Sequence, residues 1–187
     1  LFRSGGMLAV NDKQFATRAE IIREKGTNRS AFFRGEVDKY GWVDIGSSFL
    51  PSEIIAAFLF AQLENLESIQ QKRKSIWEKY LNGFKNTASS KGFSLPYIPD
   101  YASNNAHMFY LVFDNAVDRT KAIQHCKASD VFPVFHYLSL HKSLYHNDTV
   151  TYLPQSDRYT DTLLRLPFFY EMTDQEINTV IEKILSY

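Results

Sequence analysis

The sequence contains a single cysteine, Cys126, among its 187 residues. One cysteine excludes a disulfide within the chain and suits a reducing compartment. Because Cys126 falls on one face of a predicted helix, we interpret it as a small buried apolar residue rather than a nucleophile. The cytoplasm is the expected location.

Long apolar runs and net charge are also missing. The longest nearly apolar run, residues 54–61, is far shorter than the roughly 20 residues needed to cross a bilayer. No charged-then-apolar leader opens the chain. Lysine and arginine number 21, as do aspartate and glutamate, so the formal net charge is zero. We therefore expect neither a membrane nor a nucleic acid as partner.

Signatures of common catalytic and metal sites are absent. No GxGxxG or P-loop occurs, and Gly5-Gly6 alone is too little for a dinucleotide or ATP site. No Ser-His-Asp or Cys-His arrangement can be inferred from spacing. His136, His141 and His146 recur every five residues, a spacing that does not place them on one helical face. No cysteine or close carboxylate completes a ligand set, so no metal is expected.

The composition is that of a globular protein. Hydrophobic residues make up 44% of the chain and aromatic residues 15%, enough for one domain with a core, or one domain plus a fragment of another. Met7–Val10 is predicted to be a short strand. Phe15, Ala19 and Ile22 follow with helical spacing and predict one buried stripe. Alone, these elements cannot enclose a core, so they indicate the tail of a larger domain.

One long helix is predicted from Pro51 to about Phe84. Proline suits the first turn of a helix, and apolar residues continue at helical spacing along the whole segment. At 1.5 Å per residue this helix would be about 50 Å long, enough to run from one domain into the next. The charge run Lys72-Arg73-Lys74 is interpreted as a solvated face.

The remaining chain predicts a small two-layer α/β domain. Residues 87–105 indicate a linker with a minor strand near residues 93–98, and residues 138–160 a second irregular segment. Pro133 would place its strand at a sheet edge or bulge, because proline has no amide proton. Strands are predicted at residues 107–113, 131–135 and 163–168, with helices beginning near Asp118 and at the capping box Thr173–Glu176.

Residues 26–49 lose the helical periodicity and mix glycines, hydroxyls, basic groups and large aromatic residues. A loop of this length in a compact domain is usually functional or disordered, and its aromatic residues favour a functional one. An anionic ligand is plausible, because arginine forks suit phosphate oxygens and aromatic faces suit a base or sugar ring.

Residues 135–141, Phe-His-Tyr-Leu-Ser-Leu-His, form a second candidate segment. Its two histidines leave a predicted strand for a loop, where ligand-contacting groups are often presented. The residues alone leave open that both histidines are structural. Asp157-Arg158 and Arg165 are interpreted as surface or loop pairs.

Several long motifs resemble one family. They are EIIREKGTNRSAFFRGEVDKYGWVDIGSS (residues 20–48) and LPSEIIAAFLFAQLE (50–64), followed by NAHMFYLVF, VFHYLSLH and LLRLPFFYEMT. Together these motifs, which cover nearly the whole chain, resemble the DegT/DnrJ/EryC1/StrS sugar aminotransferases. The resemblance implies the C-terminal part of a fold type I pyridoxal-phosphate (PLP) enzyme. Residues 1–50 would be a remnant of the large PLP-binding domain with the active-site loop, and residues 51–187 the connecting helix and small C-terminal domain.

In the family, the Schiff-base lysine lies a few residues before a glycine-rich segment that corresponds here to Ser4–Val10. The resemblance therefore implies that this lysine is absent from the chain, together with the aspartate that holds the pyridine nitrogen. We expect no catalytic residue in this chain, no covalently bound PLP, and no transamination by the isolated polypeptide.

The resemblance also implies site roles. Ser47 and Ser48 would contact the cofactor phosphate, although helix capping around Ser52 is the simpler interpretation of the serines at this junction. The residues implied to bind substrate are Arg29, Arg34 and Lys39 for phosphate charge, Tyr40 and Trp42 for ring packing, and His136, Tyr137 and His141 on the sugar-nucleotide side.

The implied activity is amino transfer from glutamate, through PLP, to C4 of a dTDP-4-oxo-6-deoxyhexose, in the synthesis of lipopolysaccharide or common-antigen sugars. Family members are dimers with composite active sites, so residues 26–49 would reach toward a partner subunit. Two alternatives stay open. The chain could be a non-catalytic, truncated folding or dimerisation domain, or one half of a split enzyme whose N-terminal half is a separate polypeptide.

Overall fold

The computed structural model describes residues 6–146 and 152–187. The chain divides into two compact units, the first ending at Asn65 and the second beginning at Leu66. Residues 1–5, which include most of the Ser4-Gly5-Gly6 start, and residues 147–151 of the predicted irregular segment lie outside the described residues.

The first unit is helical. A 3-10 turn at Lys13–Phe15 begins after Asp12, whose side chain caps it by accepting a hydrogen bond from the Gln14 amide at 3.0 Å. The α-helices of this unit are α1 (Ala16–Arg23), α2 (Arg29–Phe33) and α3 (Glu53–Glu64). The Ser52 hydroxyl caps α3 by accepting from the Ile55 amide at 3.4 Å, so Ser52 has the simple capping role.

Two predictions for the start of the chain are wrong. Met7–Val10 does not form a strand, and its Met7 side chain is 94% exposed. A strand needs a neighbour to satisfy its amides, and the described part of this unit contains only two isolated bridges. The predicted buried stripe is not buried either, since 57% of Phe15 is exposed.

The predicted single long helix is two helices. Helix α3 ends before Asn65, and α4 spans Leu66–Phe84. The Asn65 side-chain amide donates to the Ala61 carbonyl at 2.9 Å, and its backbone amide donates to the Gln62 carbonyl at 3.2 Å. Asparagine competes for backbone groups in this way and is a poor helix former, so the apolar periodicity continues where the helix does not.

The two helices also differ in burial. No residue of α3 is buried within the described chain, although the helix is rich in large apolar side chains. Those with more than half of their surface exposed are Ile54, Phe58, Leu59, Phe60 and Leu63. Helix α4 instead buries Ile76, Trp77, Tyr80 and Phe84.

The second unit is built on one four-stranded antiparallel sheet. Its strands are β1 (Phe93–Ser94), β2 (Tyr110–Phe113), β3 (Val134–Phe135) and β4 (Leu163–Arg165), in the order β1-β2-β4-β3. All are shorter than predicted. Strand β3 lies at an edge directly after Pro133, as the missing amide proton of proline predicts.

Helices α5 (Ala116–Lys127), α6 (Pro154–Thr162) and α7 (Asp174–Leu185) complete the second unit. Helix α6 lies in the segment predicted to be irregular and starts at Pro154, a favoured first residue. Helix α5 begins earlier than predicted, because Asn115 caps it by accepting from the Asp118 amide at 2.9 Å. The capping box of α7 is confirmed, with both the Thr173 and Glu176 bonds present.

Aromatic rings from α4 and the sheet form the centre of the core. Phe84 is fully buried and meets Phe93 edge to face, with ring centroids 5.9 Å apart. Burying such a side chain contributes about 1.5–3 kcal/mol. Cys126 is 0% exposed, so its predicted burial is confirmed.

The prediction that Arg73 belongs to a solvated face is wrong. Its Nε donates to the Ala106 carbonyl at 3.0 Å, its Nη2 donates to the His107 carbonyl, and its guanidinium lies 4.7 Å from the centroid of the Phe168 ring. Ala106 has a positive φ of 49°, an uncommon conformation for a residue with a side chain. Arg73 therefore ties α4 to the turn that leads into β2.

Candidate functional site

Residues 26–49 are held to the end of α1 by backbone hydrogen bonds. The Ser47 amide donates to the Ile22 carbonyl at 2.9 Å, and the Lys25 amide donates to the Ser47 carbonyl at 3.1 Å. The Val43 amide donates to the Gly26 carbonyl at 2.8 Å. These bonds fold the segment back on itself, so it is an ordered loop with a defined backbone.

Helix α2 lies within this loop and was not predicted. Glu24 holds its first turn, since its carboxylate accepts from the Ser30 amide at 3.1 Å and from the Ser30 hydroxyl at 2.9 Å. Asn28 then links the helix to the far side of the loop by accepting from the Gly41 amide at 2.8 Å.

Arg34 follows α2 and binds two carboxylates. Its Nη1 and Nη2 donate to the two oxygens of Glu20 at 2.9 and 3.0 Å, and its Nε donates to Glu36 at 2.7 Å. Hydrogen bonds from Arg34 hold the pKa of Glu36 below its usual value. Most of the Arg34 donors are therefore used within the chain, where they join α1 to the residues after α2.

Other basic and aromatic residues of the loop remain accessible. The Arg29 guanidinium lies 5.1 Å from the Phe33 ring centroid, and the exposed Lys39 ammonium has no ion pair among the described residues. Tyr40 packs against Phe32 with ring centroids 5.6 Å apart, yet keeps 53% of its surface exposed. Trp42 is 83% exposed.

Ser47 and Ser48 expose their hydroxyls while their backbone is held. Ser48 forms an isolated antiparallel bridge with Glu24. Neither serine hydroxyl donates or accepts a hydrogen bond within the described part of the chain. Asp44, three residues before Ser47, forms an ion pair with Arg18. Free hydroxyls on an anchored backbone are suited to bind an oxyanion.

In the second unit, His141 is buried next to a carboxylate. Only 7% of its side chain is exposed, and its Nε2 lies 3.2 Å from Asp157 Oδ1, while Lys142 Nζ lies 3.0 Å from Asp157 Oδ2. Burial is the largest single influence and acts to raise the pKa of Asp157, but hydrogen bonds from Lys142 and Ser139, together with the positive charge of Lys142, outweigh it, and the pKa is lowered. Asp157 is therefore not a surface partner of Arg158, whose guanidinium lies over the Tyr159 ring at 5.5 Å.

His136 and Tyr137 lie at the end of β3, where Arg165 of β4 joins them. The His136 and Tyr137 rings are 5.2 Å apart between centroids, and the Arg165 guanidinium lies 5.8 Å from the Tyr137 centroid. Arg165 was interpreted as part of a surface pair, yet no carboxylate pairs with it in the described residues. Its signal in the sequence was a cation inside the apolar run Leu163–Leu166.

Among the described residues, the histidines and carboxylates do not gather into a group that could bind a metal. Within residues 6–146 and 152–187, no group of three His, Cys, Asp or Glu side chains is arranged to hold a metal ion. Over the same residues, no helix is both long and apolar enough to span a bilayer.

The chain resembles known proteins in both sequence and structure. The chain is 23% identical, over 96% of its length, to the spore coat polysaccharide biosynthesis protein SpsC of Bacillus subtilis, and covers 48% of that protein. The sugar aminotransferase CalS13 of Micromonospora echinospora superposes with a TM-score of 0.79 at 20% identity, over 94% of this chain and 45% of CalS13. The PLP form of the sugar aminotransferase Spr1654 of Streptococcus pneumoniae gives 0.77 at 17% identity, over 95% and 44%.

These matches confirm the expected fold class, that of part of a fold type I PLP-dependent aminotransferase. The chain spans about half the length of the curated relatives that it matches. PLP is the cofactor of the family, and Spr1654 is known in both its PLP and its PMP form. The sequence profile of the DegT/DnrJ/EryC1/StrS aminotransferases matches residues 2–185, so the chain belongs to this aminotransferase family.

Proposed function

We propose that this chain is the C-terminal half of a PLP-dependent sugar-nucleotide aminotransferase. In this proposal it positions the substrate, while the Schiff-base lysine comes from residues outside it. The observation that carries the proposal is the family match over residues 2–185, combined with a span of only 48% of the relatives' length. Residues 1–50 belong to the large domain and residues 51–187 to the connecting helices and small domain.

The proposed reaction transfers the amino group of glutamate to C4 of a dTDP-4-oxo-6-deoxyhexose. The proposed functional counterpart is the dTDP-4-amino-4,6-dideoxygalactose transaminase of common-antigen synthesis, on the resemblance of residues 20–64. The name of SpsC, a spore coat polysaccharide protein, supports a role in making sugars for a surface polysaccharide such as lipopolysaccharide. The cytoplasm, where nucleotide sugars are made, is the proposed location.

PLP supplies an electron-withdrawing ring that stabilises negative charge on the substrate carbon. The residues of this chain that fit the cofactor are Ser47 and Ser48, whose exposed hydroxyls sit on a backbone held by α1. They would donate to the phosphate oxygens. Arg34 positions this loop through Glu20 and Glu36 rather than carrying a free charge to the ligand.

The residues proposed to bind substrate are found in each unit taken by itself. Arg29 and Lys39 neutralise the diphosphate, because their charges are not paired with carboxylates in the described residues. Tyr40 and Trp42 offer exposed rings for stacking on a base or sugar. His136 and Tyr137 contact the sugar nucleotide, and the buried His141 supports their segment through Asp157.

The apolar surface of α3 supports assembly with more protein. A helix with Phe58 70% exposed and Ile54 75% exposed is stabilised only when another surface covers it. We propose that the N-terminal half and a second subunit of a homodimer cover it together.

Reconstitution in trans tests the proposal. The polypeptide encoded directly upstream would be purified separately and mixed with this chain, PLP, glutamate and the dTDP-4-oxo sugar. We expect amino-sugar product from the mixture and none from either part alone. Retention of a borohydride-reduced PLP adduct on a lysine of this chain would refute the proposal, because the Schiff-base lysine would then lie within it.

The exposed α3 helix also favours a second candidate, a non-catalytic dimerisation domain. Sedimentation analysis separates the two. A stable dimer of this chain that neither binds the upstream polypeptide nor yields product in its presence would support the second candidate.

A further inference from the structure

Helix α6 contacts the segment 137–142 through the hydroxyl of Thr160. This hydroxyl donates to the Tyr137 carbonyl at 3.2 Å and lies 2.7 Å from the hydroxyl of Ser139. Strand β3 ends at Phe135, so Tyr137 lies beyond the last paired residue of this sheet edge. Thr160 therefore holds the Tyr137 carbonyl where the sheet no longer does.

Ser139 links this contact to Asp157. Ser139 is only 4% exposed. Burial alone would raise the pKa of Asp157, and hydrogen bonds from Lys142 and Ser139 bring it below its usual value. Because an ionised carboxylate only accepts hydrogen bonds, the Ser139 hydroxyl donates to Asp157, and its oxygen is left to accept from Thr160. Thr160, Ser139 and Asp157 thus form one chain of hydrogen bonds, whose members strengthen one another.

Asp157 anchors the other end of this chain. Its carboxylate lies 3.0 Å from Nζ of Lys142 and 3.2 Å from Nε2 of the buried His141. Asp157 and Thr160 are three residues apart, so they lie on the same face of α6. One face of this helix therefore holds the segment 137–142 at both of its ends.

We propose that Thr160 and Ser139 are positioning residues, which fix the place of Tyr137 without contacting a ligand themselves. The Tyr137 ring is 75% exposed, and its backbone is held by the chain of hydrogen bonds. A side chain that becomes ordered only on binding lowers the affinity, so an exposed ring binds best when its backbone is already fixed. The inference rests on the proposed function only in that the ligand of Tyr137 is the sugar nucleotide.

Three variants on α6 test this role. Thr160→Val keeps the shape of the side chain and removes the hydroxyl, whereas Thr160→Ser keeps the hydroxyl. Thr162→Val is the matched control, because Thr162 is buried on the same helix and its hydroxyl donates to the Arg158 carbonyl within α6 at 2.7 Å. Ser139→Ala breaks the same chain from its other side, so the test does not depend on the folding of one variant.

Amide NMR of the whole chain measures whether Tyr137 keeps its position. In Thr160→Val and Ser139→Ala, we expect the backbone order parameters of Tyr137 and Leu138 to fall from about 0.85 to below about 0.6. They should stay at about 0.85 in Thr160→Ser and Thr162→Val. The Lys142 amide, which donates to the Ser139 carbonyl at 3.0 Å, should exchange about tenfold faster in Thr160→Val, the effect of losing one hydrogen bond.

Kinetics of the chain combined with the upstream polypeptide give a second readout. Thr160→Val should raise the KM for the sugar nucleotide several-fold and leave the KM for glutamate unchanged. Thr160→Ser should keep both KM values. An equal rise of both KM values in Thr160→Val would overturn the role of Thr160, because it would show a general loss of structure.

The order parameters decide the proposal without any transamination. It is overturned if Tyr137 stays ordered in Thr160→Val and Ser139→Ala, or if Thr162→Val loses as much order as Thr160→Val. Loss of order at Tyr137 in Thr160→Val, with the control unchanged, supports the role of Thr160 even where the combined polypeptides yield no product. That second result would count against the proposed function alone.

Discussion

The backbone segments at Gly26 and Gly46 cross so closely that neither position has room for a side chain. A Cβ added to Gly46 would lie 2.1 Å from the Gly26 amide nitrogen, and one added to Gly26 would lie 1.9 Å from the Asp44 carbonyl oxygen. Gly26 also has a φ of +77°, which glycine adopts readily. The loop that carries Ser47 and Ser48 depends on this crossing.

Gly46→Ala should open the loop, because the atoms in the way belong to the backbone and cannot move aside cheaply. We expect a loss of about 1–3 kcal/mol, the usual cost of inserting a methyl group into closely packed structure. Amide hydrogen exchange of residues 41–48 should then be faster in Gly46→Ala than in the unsubstituted chain. Gly41→Ala is the control, since nothing lies within 4 Å of a Cβ there. Equal exchange rates in Gly46→Ala and Gly41→Ala would contradict the close approach of the two backbone segments.

Arg34→Gln should return the pKa of Glu36 toward its ordinary value, because the Arg34 hydrogen bonds are the main cause of its lowering. A lowered carboxyl pKa stabilises the fold at pH values above the ordinary pKa, and this contribution is lost as the pH falls through the folded value. NMR titration of the Glu36 carboxyl carbon measures the shift. Lys39→Gln is the control and should leave the Glu36 pKa unchanged. A pKa shift of equal size in Lys39→Gln would show that the hydrogen bonds of Arg34 are not the cause.

Cys126 should resist thiol reagents while the second unit is folded. Burial raises its pKa to about 11, so little thiolate forms at neutral pH, and the 0% exposed sulfur is out of reach. Labelling should occur only after denaturation. A variant with Cys126→Ala and Ala128→Cys carries its thiol at an exposed position of the same segment and should react in the native state. Rapid native labelling of Cys126 would mean that α5 opens readily.

Thr173→Ala should destabilise the second unit by about 0.5–2 kcal/mol, because the α7 capping box loses the hydroxyl that accepts from the Glu176 amide. Thr179→Ala is the control on the same helix. Within the described residues its hydroxyl bonds only to the Gln175 carbonyl, and alanine is a better helix former. Urea unfolding of the two variants measures the difference, and the cap is unimportant if Thr173→Ala unfolds like the control.

Local chemistry made parts of the fold predictable from the sequence. Pro133 predicts a strand at a sheet edge or bulge whatever its partners are, and Thr173 with Glu176 predicts a helix start from four consecutive residues. The break at Asn65 was hidden because apolar spacing continues across it, although the Asn65 side chain bonds back to the Ala61 carbonyl where the helix ends. Helix α2 was missed because its start depends on the Glu24 carboxylate, which lies outside the helix.

The candidate site was less predictable, because it depends on pairings between distant residues. Arginines 29 and 34 look alike in the sequence, yet only Arg34 has two carboxylates beside it, one of them on α1. Arg165 appeared to be a surface residue until the pairing of β4 with β3 set it beside His136 and Tyr137. Strand register depends on which strands pair in the folded chain, and the sequence of a short strand contains too few alternating residues to predict it.

Strand β4 lies between β2 and β3, although it follows both in the chain. During synthesis β3 therefore leaves the ribosome with no strand to pair with, and its unpaired edge persists until residues 163–165 emerge. Only the β1–β2 pair can form earlier. The second unit should thus fold late and in a single event, and its nascent chain has the greatest need of chaperone protection just before Leu163 emerges.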